Sequence, residues 1–170
     1  MSYAIAVSSK TGNTRLVADG LEREFGRDVV YFGGIPRTPD VLDGVEDVLV
    51  GFWTDKGTCD GEVASFLASL HGKRVFLFGT AGFGGSRAYF EQIASRAAEN
   101  LAPDSDLVGW EMCQGRMPSA VRERFERMLE QNPGDARAQA MVDNFDRALE
   151  HPNEADVRAV ADAARRAFGA

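Results

Sequence analysis

The chain has 170 residues, 44% of them apolar and 26% charged, and a formal net charge of −7. That length suits a single domain with a substantial core, and no apolar stretch is long enough to cross a bilayer. The acidic balance argues against a nucleic-acid surface and favours partners with a basic docking face.

No basic segment followed by an apolar signal core precedes the first strand, so a cytoplasmic setting is expected. Cys59 and Cys113 are far apart and lack CxxC spacing, which predicts reduced thiols. His71 and His151 have no companions at metal-ligand spacing and are expected at the surface near helix ends.

Short apolar runs alternate with helical periodicity. Strands are predicted at Tyr3 to Val7, Asp28 to Phe32, Val45 to Phe52, Arg74 to Phe78 and Leu107 to Met112. Runs that are apolar throughout suit strands buried on both faces, and intervening helices suit parallel pairing. The first helix carries Leu16, Val17, Leu21 and Phe25 on one side and stops at Gly26. Gly33 to Gly44, with Pro36 and Pro39, predicts a loop with at most a short helical turn. A helix from about Thr58 to Leu70 would bury Val63, Phe66, Leu67 and Leu70. Another, from about Ser86 to Leu101, aligns Phe90, Ile93, Ala94, Ala97 and Leu101. Five strands with such crossovers make an α/β, doubly wound parallel sheet in three layers.

After the fifth strand three helical stretches follow with no strand between them. Pro118 to Glu130 repeats Val121, Phe125, Met128 and Leu129; Ala136 to Leu149 repeats Ala138, Met141, Val142, Phe145 and Leu149; Asn153 to Phe168 repeats Val157, Val160, Ala161, Ala164 and Phe168. Each set predicts one buried helix face. One helix suffices to close the last crossover. The extra pair, about 118–150, is expected to cover sheet surface in preference to contacting a partner.

The chemistry sits in the loops. Ser9, Lys10, Thr11, Gly12, Asn13 and Thr14 follow the first strand and open the first helix, so hydroxyls and backbone donors converge at a helix N-terminus. Such residues can simply cap a helix. Three hydroxyls, one amide and one glycine in six positions exceed what capping needs, and a phosphate cradle is the stronger expectation. The loop after the third strand runs Gly51 to Thr58 and places Trp53 at a strand end. The loop after the fourth, Gly79 to Ser86, brings backbone close to a ligand and offers Phe83 for stacking. All three would meet at the carboxyl ends of the strands, where strand order reverses. Trp110 to Pro118, beside them, offers the Cys113 thiol, Arg116 and the methionines Met112 and Met117 to a substrate or partner surface or, equally, to packing and a turn before Pro118, with packing the expectation for Met112. Neither cysteine has the spacing to Arg of a tyrosine-phosphatase loop, and no Gly-Lys-Ser/Thr ending makes a Walker loop.

A phosphate end, backbone-rich loops and aromatics between them describe a site for a flat ring with a phosphate tail. The chain resembles the flavodoxins, whose phosphate loop reads hydroxyl residue, any, Thr, Gly, any, Thr. Ser9, Thr11, Gly12 and Thr14 match it in register, with Lys10 at the variable position. The resemblance covers residues 1 to about 112 and the last helix. It implies a single flavodoxin-like domain over 1–170, strand order 2-1-3-4-5, and one noncovalent FMN as redox centre. Trp53, Thr54, Asp55, Lys56 and Gly57 would then lie along the inner side of the isoalloxazine, and Thr80, Ala81, Gly82, Phe83, Gly84 and Gly85 along the outer. In flavodoxins a peptide of the first of these loops accepts a hydrogen bond from the reduced flavin's N5, and Asp55-Lys56-Gly57 is the flexible candidate. Many members stack a Tyr on the outer face; here Phe83 is the nearest candidate, and Tyr89 falls inside a predicted helix.

The resemblance implies an electron carrier that docks through acidic surface around the flavin edge onto redox partner proteins, a reductase donor and an acceptor enzyme. Some flavodoxin-like proteins of this size in anaerobic bacteria accompany a reductase for tetrapyrroles such as bilirubin. The alternative is an FMN-dependent oxidoreductase, reducing a quinone or related small molecule with a nicotinamide donor; no dinucleotide fingerprint is present, and the helical pair keeps this alternative open. Neither nucleic acid nor a membrane is an expected partner, and the chain is expected as a monomer or weak homodimer.

Overall fold

The computed structural model describes residues 1–170. Strand β1 (Tyr3–Val7) is buried at every position and sends Tyr3, Ile5 and Val7 into one core and Ala4 and Ala6 into the other. A side-chain period of two makes that division unavoidable, which is why the run has no polar position. Strands β2 (Val29–Gly34), β1, β3 (Asp47–Asp55), β5 (Arg74–Ala81) and β6 (Asp106–Gln114) lie parallel in that spatial order, the doubly wound arrangement expected from the sequence.

Helices α1 (Asn13–Phe25) and α6 (Glu154–Phe168) cover one face, packing Val17, Leu21, Val160 and Phe168 on Tyr3, Ile5, Leu49, Phe76 and Phe78. Helices α2 (Gly61–Ser69) and α3 (Arg87–Ala98) cover the other with Val63, Leu67, Phe90 and Ile93. Each such side chain, removed from water, contributes about 1.5–3 kcal/mol, so apolar periodicity outweighs any single polar contact in setting these layers. Asn153 and Asp156 form a reciprocal capping box that starts α6.

Four expectations need correction. First, β3, β5 and β6 run past their predicted ends to Asp55, Ala81 and Gln114, so part of each predicted loop is strand. The extension of β3 pairs antiparallel with β4 (Thr58–Cys59), and α2 therefore starts later than predicted, at Gly61, capped by Asp60. Second, Leu16 and Leu149 are exposed and not on buried faces. Third, His151 is half-buried and bonded to Asp156 at 2.7 Å, whereas His71 is exposed as expected.

Fourth, the helical pair α4 (Ser119–Gln131) and α5 (Ala136–Ala148) does not cover a sheet face: none of its side chains belongs to either core. α4 buries no residue, and α5 buries Ala138, Val142, Asn144, Phe145 and Ala148. The two pack on each other, joined by Arg122, which reaches Asp146 at 3.0 Å and also pairs with Glu126. Periodicity found the apolar stripe on α4 but could not show that only another insertion helix would meet it.

Candidate functional site

The order of the strands reverses between β1 and β3, and the segment after β1 turns there into α1. Gly12 makes that turn at φ 94°, a left-handed conformation that costs glycine nothing. Ser9 Oγ accepts from the backbone amides of Gly12 and Arg15, both at 3.2 Å, so this hydroxyl does cap the helix. The first helical bond runs from Leu16 N to Gly12 O at 3.0 Å, and neither Ser9 nor the helix ladder claims the amides of Asn13 and Thr14. Of the two, Asn13 lines the adjoining cleft and Thr14 is fully buried; an unclaimed amide at the positive end of a helix dipole is the kind of group that suits an anion. The Thr14 side chain is fully buried with its hydroxyl 2.9 Å from that of Thr80, which fastens the turn to β5.

Beside this turn is a cleft of about 100 Å³ lined by Lys10, Thr11 and Asn13, by Trp53 and Thr54 of β3, by Thr80 and Ala81 of β5 and Gly82 after it, and by Arg116, Met117 and Pro118. The Lys10 ammonium stands 4.8 Å over the Trp53 ring, and Thr54 donates to the Thr80 carbonyl at 2.8 Å. Asn13 Nδ2 donates to the Arg116 carbonyl at 2.7 Å, linking the turn to the segment after β6.

A second cleft, of about 380 Å³, shares Thr54, Ala81, Gly82 and Met117 with the first and adds Lys56, Gly57, Phe83, Tyr89 and Val121. Its size falls within the range of cofactor sites, about 300–1,000 Å³. Met117 lies between the two because Gly82 has no side chain: a Cβ there would sit 2.4 Å from Met117 Cγ. Asp55-Lys56-Gly57-Thr58 is a closed hairpin turn, with φ 50° at Lys56 and 82° at Gly57. Positive φ at both central residues is what a two-residue hairpin demands, and Lys56 meets it without glycine's freedom. Arg96 further ties the turn, donating to the Gly57 carbonyl at 3.4 Å.

Of the predicted site residues, Lys10, Thr11, Asn13, Trp53, Thr54, Lys56, Gly57, Thr80, Ala81, Gly82 and Phe83 come together in these clefts. Ser9, Gly12, Thr14, Asp55, Gly84 and Gly85 line neither. Sequence reasoning passed over Val121, took Pro118 only as a helix start, left Arg116 and Met117 undecided between packing and a surface role, and set Tyr89 aside as helical. Tyr89 was assigned to a helix, correctly, but it stands in the first turn of α3 and reaches the cleft. A Cβ on Gly84 would lie 2.4 Å from its ring, so the glycine pair before Ser86 was the available signal.

A buried amide pair holds the Gly82 carbonyl. Gln114 Nε2 donates to it at 3.1 Å and Asn144 Nδ2 at 3.0 Å, while Gln114 also donates to Asn144 Oδ1 at 3.0 Å. Both side chains are more than nine-tenths buried, where an unpaired amide would cost about 1–3 kcal/mol. Arg116 Nε donates to the Leu149 carbonyl at 3.0 Å. The helical pair is therefore fastened to both ends of the site.

The ionisable residues lining the clefts are Lys10, Lys56 and Arg116, and no carboxylate lines either one. The charged side chains that line the clefts are thus all cationic. Both cysteines are free thiols, and burial pushes the Cys59 thiol up and the Cys113 thiol far up from the ordinary range. No group of His, Cys, Asp or Glu is arranged to hold a metal ion, and no helix is long and apolar enough to cross a membrane.

Comparison with known proteins agrees with this geometry. A flavodoxin-like domain-containing protein BilS of Clostridium symbiosum is 44% identical, over 94% of this chain and 92% of that protein. A protein of the same name from Clostridioides difficile is 26% identical, over 92% of this chain and 90% of that one. The crystal structure of oxidised flavodoxin 2 from Bacillus cereus shares the fold at a TM-score of 0.54 and 19% identity, covering 99% of this chain and 98% of its own. The flavodoxin domain profile matches residues 4–165, and the chain belongs to that family.

Proposed function

We propose that the chain binds FMN noncovalently and carries electrons between larger redox proteins. The observation that carries this reading is the start of α1, where Asn13, its backbone amide unclaimed by the helix, lines the smaller of two contiguous clefts framed by Trp53, Phe83 and Tyr89. The donor set fits a phosphate monoester: the Asn13 and Thr14 amides and the Thr11 hydroxyl supply hydrogen bonds, and Lys10 and Arg116 supply charge. Gly12 leaves room, since a Cβ there would meet nothing within 4 Å. Bound FMN would supply reversible one- and two-electron transfer. The protein's own residues bind and orient: Trp53 and Tyr89 offer faces to a planar ring, and the clamped Gly82–Phe83 peptide offers a backbone N–H.

No lining residue is a carboxylate, histidine or cysteine, so the site lacks a positioned general acid or base of those types. That composition favours a carrier over a stand-alone enzyme. Its partners would be a reductase that donates electrons and an acceptor enzyme, of which a tetrapyrrole reductase is the class the resemblance supplies. A cytoplasmic monomer or weak homodimer suits that role. The second reading, an FMN-dependent reductase of quinones or similar small molecules, is favoured only by the wall that Val121 of α4 adds to the larger cleft.

Anaerobic reduction of the FMN-loaded protein separates the two. A carrier accepts electrons from an added reductase and turns over a quinone slowly with nicotinamide alone. Rapid multiple turnover with a nicotinamide and a quinone, without added reductase, would establish the enzyme instead.

A further inference from the structure

A third cleft, of about 290 Å³, lies farther along α4 and is lined by Arg124, Phe125, Met128, Arg137 and Ala138. Across the three clefts the lining ionisable residues are Lys10, Arg116, Lys56, Arg124 and Arg137, all cationic, in a chain with a net charge of −7. None of the five takes part in an ion pair, whereas Arg15, Arg87 and Arg122 do. Val121 at the second cleft and Phe125 and Met128 at the third recur at i, i+4 and i+7, so they form one apolar strip along α4 that α5 covers only in part: Val121 and Phe125 are half-buried and Met128 is exposed. At about 100° per residue, Glu123 and Glu130 lie on the opposite side of α4 from Phe125. Glu126 and Asp146 share Arg122, so these three keep one net negative charge, and Asp55, next to Lys56, lines no cleft.

We propose that this face, an apolar strip on α4 flanked by Lys56, Arg124 and Arg137, docks a redox protein whose own electron-exchanging edge is ringed by carboxylates. The inference rests on the electron-carrier reading and specifies its partner. Local charge decides the contact and net charge does not, because at physiological salt the Debye length is about 8 Å, shorter than the molecule. An acidic partner is repelled weakly at long range and held at contact by this face; a basic partner meets the reverse. The apolar strip supplies burial between the charges, as the core of a transient interface does.

The test uses FMN-loaded, reduced protein and two oxidised probes, rubredoxin as an acidic acceptor and cytochrome c as a basic one. Flavin uptake is read first from the visible spectrum. The rate with rubredoxin should fall as salt rises from about 0.1 M, where screening is already as short as about 10 Å, to about 1 M, where it is about 3 Å and the contact charges are screened too. The Arg124→Glu/Arg137→Glu variant should lower the low-salt rubredoxin rate about fivefold or more, raise that with cytochrome c, and leave flavin affinity unchanged. A rubredoxin rate that rises with salt, or a variant indistinguishable from wild type, overturns the docking face alone. Failure to take up flavin overturns the electron-carrier reading and this inference with it.

Discussion

Asn144→Ala tests whether the helical pair acts on the cofactor cleft or merely sits beside it. Asn144 is 5% exposed, accepts from Gln114 at 3.0 Å and donates to the Gly82 carbonyl at 3.0 Å. Truncation removes two buried neutral hydrogen bonds, worth about 1 kcal/mol each, and leaves part of Gln114 unsatisfied, for a total of about 2–3 kcal/mol. In a chain of this size that lowers the melting temperature by about 5–10 °C. Gly82 keeps a single donor, and its carbonyl regains freedom to turn. The peptide is trans, so the Phe83 N–H points opposite to that carbonyl and turns with it. FMN affinity should therefore fall about tenfold, or about 1.4 kcal/mol. Val142→Ala is the control: Val142 is also buried on α5 but makes no bond to the loop, and its loss should cost stability of the same order without changing affinity. Calorimetry for stability and flavin-fluorescence titration for affinity separate the two quantities. An Asn144→Ala protein that melts earlier yet binds FMN as Val142→Ala does would refute the reasoning.

Thr14→Val should destabilise by about 1–2 kcal/mol, because it strands the Thr80 hydroxyl in a fully buried site; unchanged thermal unfolding would count against that bond. Lys56→Gly should stabilise by about 1 kcal/mol by relieving a left-handed non-glycine residue, a gain measurable by denaturant titration and absent if the turn is unstrained. Lys56→Gln, which keeps the Cβ but not the charge, should lower the potential of the second one-electron step, since a nearby cation favours the anionic reduced flavin; potentiometric titration checks this. Arg122 beside Asp146 holds that carboxyl below its ordinary value of 3.8. A carboxyl depressed in the folded state stabilises fully above that value and loses its contribution as pH falls through the lower one. Hydrogen exchange in α4 should accordingly quicken below about pH 4, before the core strands respond, and uniform exchange would contradict it.

The buried layers were legible because the central runs Tyr3 to Val7, Val48 to Phe52 and Val75 to Phe78 are apolar throughout and each core helix repeats at i, i+3 and i+4. The turn after β1 was legible because its hydroxyl residues and Gly12 lie within six consecutive positions. The β3–β4 hairpin was missed because Lys56 occupies a position where glycine or asparagine would have signalled a turn of that type. The helical pair misled for a different reason: an amphipathic stripe declares that it must be covered, not by what, and on α4 the cover is α5 with solvent beyond. Asn144 and Gln114, 30 residues apart, meet only in space, and nothing local marks either as part of a cleft.

The central claim is that the start of α1 grips a phosphate monoester. Titration of the flavin-free protein with FMN and, separately, with riboflavin tests it most directly, since the two ligands differ only in that group. The structure predicts one FMN per chain, bound about a hundredfold or more tighter than riboflavin, equivalent to about 2.7 kcal/mol from the amides, Thr11 and the nearby cations. Equal affinity for the two flavins, or binding of neither, would contradict it.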